Sequence, residues 1–475
     1  MKKYLSPIDA AFLRMETKRT PMHVGALMTF RLPDGAPKDF VRSLLLQMRE
    51  KPFLPEPFGS RLARGNLAKI APAWEETDVD MEYHTRHSAL PYPGGERELG
   101  VLIARMHSHP LDRSRPLWEC HLIEGLEGNR FAMYFKAHHC AIDGMGAMKM
   151  VQKWLSRDPA DKRISGPWIV AQKPKEDSGE KASLFGRLKK PAKAAAEQAR
   201  GVKELVKTLV KMSKGDDSST RMALSTPRSL FNVPVSQQRR LGTQILDLTR
   251  IKAIAEKMNV SVNDTLLALC GGAIRRYLTE HDALPEKSLL ASVPVGLPRA
   301  DGKPGNAVAG FVVPVGTDLT DPAERIDLIT RVTTRSKQEV LEMPDASRSQ
   351  FALLGLSPLM IGQMLGVLPK LPPFFNFVAS NVVLSKDPLF LMGAELEAMY
   401  PVSFLFDGYA LNITLVGYRD RVAVGFLGCR DAIPHLQRLA VYTGEAVAEL
   451  EAAVGLGETP VTPRRKRASG RKGSQ

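Results

Sequence analysis

One heptapeptide carries the residue types that general acid–base chemistry needs: His138-His139-Cys140-Ala141-Ile142-Asp143-Gly144. It directly follows Arg130–Ala137, whose aromatic and alternating apolar residues predict a strand. Adjacent side chains of a strand point to opposite faces, so one histidine can face a site while the other packs away from it. An imidazole, with a pKa near neutrality, is suited to take a proton from an alcohol. Asp143 can fix the loop, and Gly144 allows the close approach of backbone or substrate.

The same heptapeptide is open to two other interpretations. His138, His139 and Asp143 form a plausible ligand set for a divalent metal, although no further histidine or carboxylate cluster lies at ligand spacing. Cys140 beside His139 suggests a cysteine nucleophile with its base, although adjacent residues seldom meet in that way. The chain has no GxSxG for a serine hydrolase and no GxGxxG for a dinucleotide. Proton transfer by a histidine is the favoured chemistry.

The elements that must position the heptapeptide alternate between strands and helices. The sequence predicts a strand at His23–Leu32, a helix at Lys38–Glu50 and, after the heptapeptide, a helix at Met145–Leu155. In the second half of the chain, the segment Ser261-Val262-Asn263-Asp264 is placed to cap a helix over Thr265–Leu278. Mixed strands and helices of this kind predict an α/β protein.

The length of 475 residues predicts two or three domains, at roughly 100–200 residues each. We predict an N-terminal domain at 1–182, a basic linker at 183–240, a C-terminal domain at 241–458 and a basic disordered tail at 459–475. The linker is distinct because loop-forming residues flank Leu184–Met212, where an apolar stripe lies opposite lysines. This stripe predicts an amphipathic helix.

The formal net charge of +15 is concentrated in the linker and the tail. Residues 187–214 hold nine Lys and Arg against two Glu, and residues 459–475 hold six without an acidic residue. A basic stripe on a folded domain would favour nucleic acid, whereas a basic amphipathic helix and a tail favour an anionic lipid surface. The helix could also bridge the two domains, so both interpretations stay open. We predict no nucleic-acid partner.

Two further features concern the compartment and the membrane. Four cysteines without a CxxC pair, and an N-terminus without an apolar signal segment, predict a cytoplasmic protein. Residues 349–369 carry no charge and are long enough to span a bilayer, but Pro358 and three glycines interrupt them. We predict a buried or tunnel-lining helix pair near an apolar ligand, with an interfacial dip or a true span as the alternatives.

The heptapeptide has the form HHxxxDG, which resembles the signature of the acyl-CoA-dependent acyltransferases that include chloramphenicol acetyltransferase and peptide-synthetase condensation domains. Further blocks are similar to the bacterial wax ester synthase/diacylglycerol acyltransferase family: Leu5–Phe30, Pro110–Gly125, Asn263–Leu269, Val293–Asn306, Ser380-Asn381-Val382 and Leu411–Val416. These blocks run in family order from residue 5 to about residue 450. The resemblance therefore covers nearly the whole chain.

This resemblance implies a fold of two chloramphenicol-acetyltransferase-like α/β domains with mixed sheets, joined by a helical linker, with the motif at their interface. It implies an O-acyltransferase that moves a fatty acyl group from acyl-CoA to a long-chain alcohol, giving a wax ester, or to diacylglycerol, giving triacylglycerol. His139 would be the general base, next to His138 in the catalytic motif, and no covalent intermediate would form. The resemblance implies no metal. No cofactor is expected either, because acyl-CoA is itself a substrate.

The resemblance also implies roles for residues that support the motif. Asp143 is expected to be structural and to pair with Arg299, and Gly144 is expected to give clearance where the substrates meet. Asp264 and Trp118 are expected to support the site structurally, Trp118 by packing beneath it.

Three residues are expected to contact substrate. Asn263 and Asn381 are candidates for stabilising the oxyanion that forms during acyl transfer. Gly355, in the uncharged segment, is a candidate for lining an acyl or alcohol channel.

The partners implied by the resemblance and by the charge pattern are acyl-CoA, a fatty alcohol, diacylglycerol and an anionic membrane or lipid-droplet surface. The surface would be contacted through 187–214 and 459–475, which places the protein at the periphery of the inner membrane or of lipid inclusions. Two alternatives remain. One is an acyltransferase of the same superfamily with an amine or specialised alcohol acceptor, and the other is a non-catalytic lipid-surface binding protein.

Overall fold

The computed structural model describes residues 2–50, 54–66, 71–162, 166–170, 225–296, 308–342 and 358–457. The basic segments 187–214 and 459–475 lie outside these ranges, as do Arg299 and Gly355. The described ranges contain the whole HHxxxDG motif and the other candidate residues.

The N-terminal half alternates strands and helices as its sequence pattern predicts. Its elements are β1 (Lys2–Tyr4), α1 (Pro7–Met15), β2 (His23–Arg31), α2 (Phe40–Arg49), β3 (Ser60–Leu62), β4 (Ala73–Glu76), α3 (Met81–His84), β5 (Thr85–Ala89), α4 (Glu96–Ser108), β6 (Trp118–Leu126), β7 (Arg130–His138) and α5 (Gly144–Trp154). The predicted strand at His23–Leu32 is confirmed as β2 and the strand at Arg130–Ala137 as β7. The predicted helices at Lys38–Glu50 and Met145–Leu155 are confirmed as α2 and α5.

The C-terminal half continues the alternation. Its elements are β8 (Arg239–Asp247), α6 (Leu248–Met258), α7 (Val262–Glu280), β9 (Leu290–Gly296), β10 (Val308–Pro314), α8 (Pro322–Glu342), α9 (358–364), β11 (Phe377–Ser385), β12 (Phe390–Leu391), β13 (Ala394–Val402), β14 (Leu411–Tyr418), β15 (Arg421–Cys429) and α10 (Gln437–Ala453). The predicted cap is confirmed, because Ser261 precedes α7 and its Oγ accepts the Asp264 N–H at 3.1 Å.

The first sheet places the motif at the end of a buried central strand. Among the described residues it has six strands in the order β12–β13–β2–β7–β6–β5. β7 is buried along nearly its whole length, because α4 covers one face of the sheet and α2 and α5 cover the other. β2 and β7 are antiparallel, and their register places His23 directly opposite His138.

Two strands of this first sheet come from the C-terminal half. β13 pairs antiparallel with β2, with Tyr400 opposite Leu27, and the short β12 pairs with β13 at the edge. An ion pair between Arg31 and Glu397 lies on the same pairing. A division of the chain at residue 241 therefore does not separate the sheets. β13 is absent from the predicted elements because its sequence, AELEAMYPV, is rich in Glu, Ala and Met, which favour helices.

The second sheet has mixed strand directions. Its order among the described residues is β10–β9–β11–β14–β15–β8. β11 is parallel to β9 and β14, and the other pairs are antiparallel. α7 and α10 pack on one face through residues such as Ile274 and Leu439. The predicted α/β class with mixed sheets is confirmed.

α5, which begins at the end of the motif, lies between the two sheets. Its Met148 and Val151 share an apolar cluster with strands of the first sheet and with Val416 of the second. Gln152 donates a hydrogen bond to the backbone carbonyl of Leu384 in β11. The motif therefore opens onto the interface between the two halves.

The uncharged segment 349–369 is described only from residue 358. It forms α9, a turn with Gly366 at φ 66°, and a 3-10 turn at Leu368–Lys370. Leu359 and Leu368 are buried, as expected of a segment that packs inside the protein. In the described ranges of the chain, no helix combines the length and the apolar character that crossing a bilayer requires.

Pro401 of β13 lies against Gly425 of β15 in the second sheet, and this contact tests whether the close approach of the two strands depends on a residue without a side chain. A Cβ at Gly425 would lie 2.2 Å from the Pro401 carbonyl oxygen. Gly425→Ala is expected to displace β13 and to lower the free energy of unfolding by about 1–3 kcal/mol. Urea unfolding followed by circular dichroism measures this difference.

Gly417→Ala in the adjacent β14 is the matched control. Its Cβ would lie 3.7 Å from the nearest atom, Cγ2 of Val383, which is an ordinary contact. Equal loss of stability in both variants, or none in Gly425→Ala, would contradict this account of the contact between β13 and β15.

Candidate active site

The two histidines of the motif occupy different environments. His138, the last residue of β7, is fully buried. Alternation along β7 places it on the same face as Lys136, whose Nζ donates to the Met106 and His109 carbonyls at the end of α4. His139 is partly exposed and begins the turn that leads into α5. This arrangement agrees with the alternation expected at a strand end.

His138 contacts a carboxylate that the sequence analysis does not identify. Its Nδ1 accepts a hydrogen bond from the backbone N–H of Cys140 at 3.1 Å, which leaves the ring proton of the neutral form on Nε2. Nε2 lies 3.2 Å from Oε2 of Glu16, and both side chains are buried. The ring of His138 is therefore enclosed behind the motif, in a supporting position.

Glu16, the residue after α1, joins several parts of the N-terminal half. Its Oε2 accepts the Met22 N–H at 2.8 Å, and its Oε1 accepts Nε of Arg113 at 3.0 Å. Burial raises the pKa of Glu16. The contact with His138, the charge of Arg113 and the Met22 N–H lower it by more, so the net pKa lies below its ordinary value. The carboxylate is therefore ionised at neutral pH. No local sequence motif marks Glu16 as part of the site, because its partner Arg113 lies 97 positions away in the chain.

His139 is held by its backbone and enclosed by aromatic rings. Its N–H donates to the Met22 carbonyl at 2.8 Å, so the residue whose N–H binds Glu16 also fixes His139. The imidazole stacks on Phe12, with ring centroids 4.1 Å apart and planes at 20°. It meets Phe404 edge-on, at 5.3 Å and 85°. Phe12 belongs to α1 and Phe404 follows β13, so the two halves of the chain each supply one ring.

This enclosure determines the protonation of His139. Burial lowers the pKa of the ring from 6.5 to about 4, while the Asp143 carboxylate raises it and His138 lowers it. The ring is therefore neutral at pH 7. A neutral imidazole carries a proton on one ring nitrogen and a lone pair on the other, so one nitrogen can accept a proton. A neutral imidazole with a free lone pair is the state that a general base needs.

Asp143 and Gly144 shape the turn beside His139. Oδ1 of Asp143 accepts the N–H of Gly146 at 2.6 Å, as a helix N-cap does. Its predicted partner, Arg299, lies outside the described residues, so that pairing stays a prediction. At Gly144 a Cβ would meet no atom of the described residues within 4 Å, which leaves clearance at the start of α5.

Trp118 and Asp264 make the contacts of structural residues. Trp118 is buried, donates from Nε1 to the Phe58 carbonyl at 2.9 Å, and stacks on His84 at 4.6 Å. Oδ1 of the buried Asp264 accepts the Thr333 hydroxyl at 2.8 Å, which ties α7 to α8.

The candidate substrate-binding residues that the structure describes lie on different elements of the second half. Asn263 lies in the first turn of α7, which packs against α6, α8 and α10. It therefore belongs to the helical layer of the second half, whereas His138 ends a strand of the first sheet and His139 begins the turn after it. Gly355 lies outside the described residues.

Asn381 lies in β11, opposite Leu415 of β14. Alternation places it on the same face as Phe377, which packs in the core under α7 and α10. Ser380 and Val382 lie on the other face, where Val382 packs against the cluster that contains α5. β11 therefore directs Ser380, and not Asn381, toward the interface between the halves. The sequence does not decide between these neighbours, because a strand has two faces and only packing shows which one is covered.

An apolar path leads from His139 into the C-terminal half. Phe404 contacts Phe406, with ring centroids 5.1 Å apart. Phe406 in turn packs against a buried apolar cluster, formed by Leu290, Leu359, Leu368, Phe374, Phe375 and Tyr409. A neutral base beside an apolar cluster suits chemistry on a molecule with a hydrocarbon chain.

Solved structures with a similar fold include a wax ester synthase/diacylglycerol acyltransferase and a condensation domain. The chain aligns with the wax ester synthase/diacylglycerol acyltransferase from Marinobacter aquaeolei VT8 at a TM-score of 0.78 and 36% identity, covering 96% of this chain and 100% of that one. The first condensation domain of the CDA synthetase aligns at a TM-score of 0.56 and 16% identity, covering 97% of this chain and 98% of that one, which shows a shared fold alone.

Sequence comparisons place the chain more narrowly. A mycobacterial protein that bears the name of a diacylglycerol O-acyltransferase (Mycobacterium tuberculosis, strain H37Rv) is 51% identical over 451 residues, covering 95% of this chain and 99% of its own. The O-acyltransferase WSD of Acinetobacter baylyi is 37% identical over 455 residues, covering 95% and 97%. Residues 5–266 match the wax ester synthase/diacylglycerol acyltransferase catalytic domain, and residues 304–451 match the C-terminal domain of the same enzymes. The chain therefore belongs to the wax ester synthase/diacylglycerol acyltransferase family of O-acyltransferases.

Proposed function

We propose that this protein transfers a fatty acyl group from acyl-CoA to the hydroxyl of a long-chain alcohol or of diacylglycerol. The observation that carries the proposal is the neutral imidazole of His139, held between Phe12 and Phe404 at the interface of the two halves. The names of the relatives, an O-acyltransferase and a diacylglycerol O-acyltransferase, support the reaction class. The apolar cluster beyond Phe406 supports a substrate with a hydrocarbon chain.

In the proposed step, His139 removes the hydroxyl proton of the acceptor as its oxygen attacks the thioester carbonyl of acyl-CoA. The new C–O bond gives a tetrahedral intermediate, which collapses as the C–S bond breaks. The imidazolium then returns its proton to the CoA thiolate, so the products are the ester and free CoA. Both substrates are consumed directly, and the step requires no cofactor and no acyl-enzyme.

The step also needs a group that stabilises the oxyanion. General base catalysis contributes roughly 10²–10⁴-fold, so positioning and oxyanion stabilisation must supply the rest. Asn263 and Asn381 are the candidates from the sequence. Ser380 is a further candidate, because it lies beside Thr414 on the face of the second sheet that packs toward α5.

Attachment to a lipid surface is a separate part of the proposal. Its support is the concentration of positive charge at 187–214 and 459–475, segments outside the described residues. Each basic residue near an anionic surface contributes about 1 kcal/mol, so the two segments together would hold the enzyme where its apolar acceptors dissolve.

His139→Ala is expected to lower CoA release from palmitoyl-CoA by about 100-fold or more, because the general base is lost. The assay measures free CoA with hexadecanol, diacylglycerol and a long-chain amine as separate acceptors. His109→Ala is the control, since that side chain is exposed at the end of α4. Release with the amine alone would favour the alternative acceptor class, and release that does not depend on His139 would refute the proposed chemistry.

Glu16→Gln is expected to lower kcat by about 10-fold or more. The amide nitrogen of Gln would place its N–H groups against neighbours that are themselves hydrogen-bond donors. The Met22 N–H, the Arg113 guanidinium and the protonated Nε2 of His138 all face the carboxylate. The measurement is kcat with palmitoyl-CoA and hexadecanol. Glu50→Gln, at an exposed residue, is the control. If both variants keep the wild-type kcat, Glu16 does not position the base.

Removal of the positive charge at 187–214 and 459–475 is expected to weaken sedimentation with vesicles that contain anionic lipid, while binding to neutral vesicles stays low. The reason is that electrostatic attraction to the lipid surface scales with the number of basic residues. The measurement compares the wild-type chain with a variant truncated after residue 458 in which the lysines of 187–214 are replaced by Gln. Unchanged vesicle binding would show that attachment uses another surface.

A further inference from the structure

Residues 16–22, which connect α1 to β2, form what we call the base-supporting loop. It begins with Glu16 and ends with Met22, whose carbonyl accepts the backbone N–H of His139. α1, which immediately precedes the loop, carries Phe12, the ring stacked on the imidazole. The position of this loop therefore controls the backbone of His139 and one wall of its enclosure.

A side chain from the C-terminal half holds this loop from the other side. Gln363 lies in α9 and is 3% exposed. Its Nε2 donates to the Met15 carbonyl at 3.2 Å and to Oγ1 of Thr20 at 2.9 Å. Its Oε1 accepts the backbone N–H of Asp407 at 2.9 Å. One carboxamide thus connects the end of α1, the base-supporting loop and the segment after β13.

A carboxamide satisfies all three neighbours, because it offers both a donor and an acceptor. The Met15 carbonyl can only accept a hydrogen bond, and the Asp407 N–H can only donate one. A carboxylate offers no donor to Met15, and an apolar side chain offers neither group. Because Gln363 is buried, losing these bonds leaves polar groups unpaired away from water, which is more costly than losing an exposed contact.

The partners of Gln363 are themselves tied to the site. Asp407 is 5% exposed, and its Oδ2 accepts Arg19 of the base-supporting loop at 2.8 Å while its Oδ1 accepts the Val235 N–H at 3.0 Å. The same segment supplies Phe404, the second ring against His139. The Arg19 side chain is 55% exposed, so this ion pair contributes less than the buried contact of Gln363.

We propose that Gln363 is a positioning residue for the general base: it fixes the base-supporting loop and α1 against the C-terminal half, and so keeps Phe12 and the backbone of His139 in place. α9 also supplies Leu359 to the apolar cluster. Gln363 thereby connects the segment that packs in the apolar cluster to the residue that moves the proton. This inference rests on the proposed function, because it assigns the base role to His139.

The test compares Gln363→Leu, which keeps the size of the side chain, with Met364→Ala. Met364 is the next residue of the same helix and is 45% exposed. Gln363→Leu is expected to lower kcat by about 10-fold or more with KM for palmitoyl-CoA changed by about threefold at most, because proton transfer needs an exact geometry that substrate binding does not. Met364→Ala is expected to keep both constants.

A second readout does not depend on turnover. The pKa of His139 is measured by NMR titration of histidine-labelled protein, with its signal assigned by its loss in His139→Ala. Gln363→Leu replaces neither Asp143, which raises the pKa, nor His138, which lowers it, so a rise in the pKa reports a loss of the burial that lowers it. The value is expected to rise from about 4 toward the ordinary 6.5.

Thr20→Val serves as a second variant, because it removes one acceptor of the same carboxamide at nearly constant size. It is expected to move the pKa of His139 in the same direction by a smaller amount, and it decides the case if Gln363→Leu does not fold. A wild-type pKa in the folded variants, with kcat reduced less than twofold, would overturn the positioning role. If the wild-type protein releases no CoA, the proposed function fails, whereas the titration still tests the coupling between Gln363 and His139.

Discussion

The geometry of the site depends on one buried negative charge. A carboxylate removed from water must be compensated by hydrogen bonds and opposite charge, and Glu16 finds them in the Met22 N–H, the Arg113 guanidinium and the ring of His138. These partners come from the residue before β2, the loop before β6 and the end of β7. Satisfying one carboxylate therefore fixes the relative positions of these three segments at the point where the chain delivers His139.

The sharing of one sheet by both halves is the second constraint. β13, from the C-terminal half, pairs with β2, and β2 pairs with β7, which ends at His138. The segment after β13 then supplies Phe404 to the enclosure of His139 and Asp407 to the contact with Gln363. The environment of the base consequently exists only when both halves are assembled, and a linker could not produce it by tethering alone.

The enclosure of His139 has two opposing effects. Burial among aromatic rings keeps the imidazole neutral at pH 7, so it can accept a proton, but a pKa of about 4 also makes it a weaker base. The Asp143 carboxylate raises the pKa and so offsets part of this loss. A weaker base lowers the barrier to the reaction by less, so exact positioning and stabilisation of the oxyanion must supply more of the catalysis.

The sequence by itself determined which residues are the candidates for the chemistry and which local elements present them. The HHxxxDG motif, the strand before it and the helix capped by Asp143 depend on neighbours within a few positions, so their pattern is sufficient to predict them. The α/β class with mixed sheets also followed from the pattern and the resemblance. Only the tertiary structure decided that Glu16 supports His138, that Phe404 encloses His139 and that β13 joins the first sheet. These contacts join residues far apart in the chain, and burial, which sets the pKa of the base, exists only once those residues have packed together.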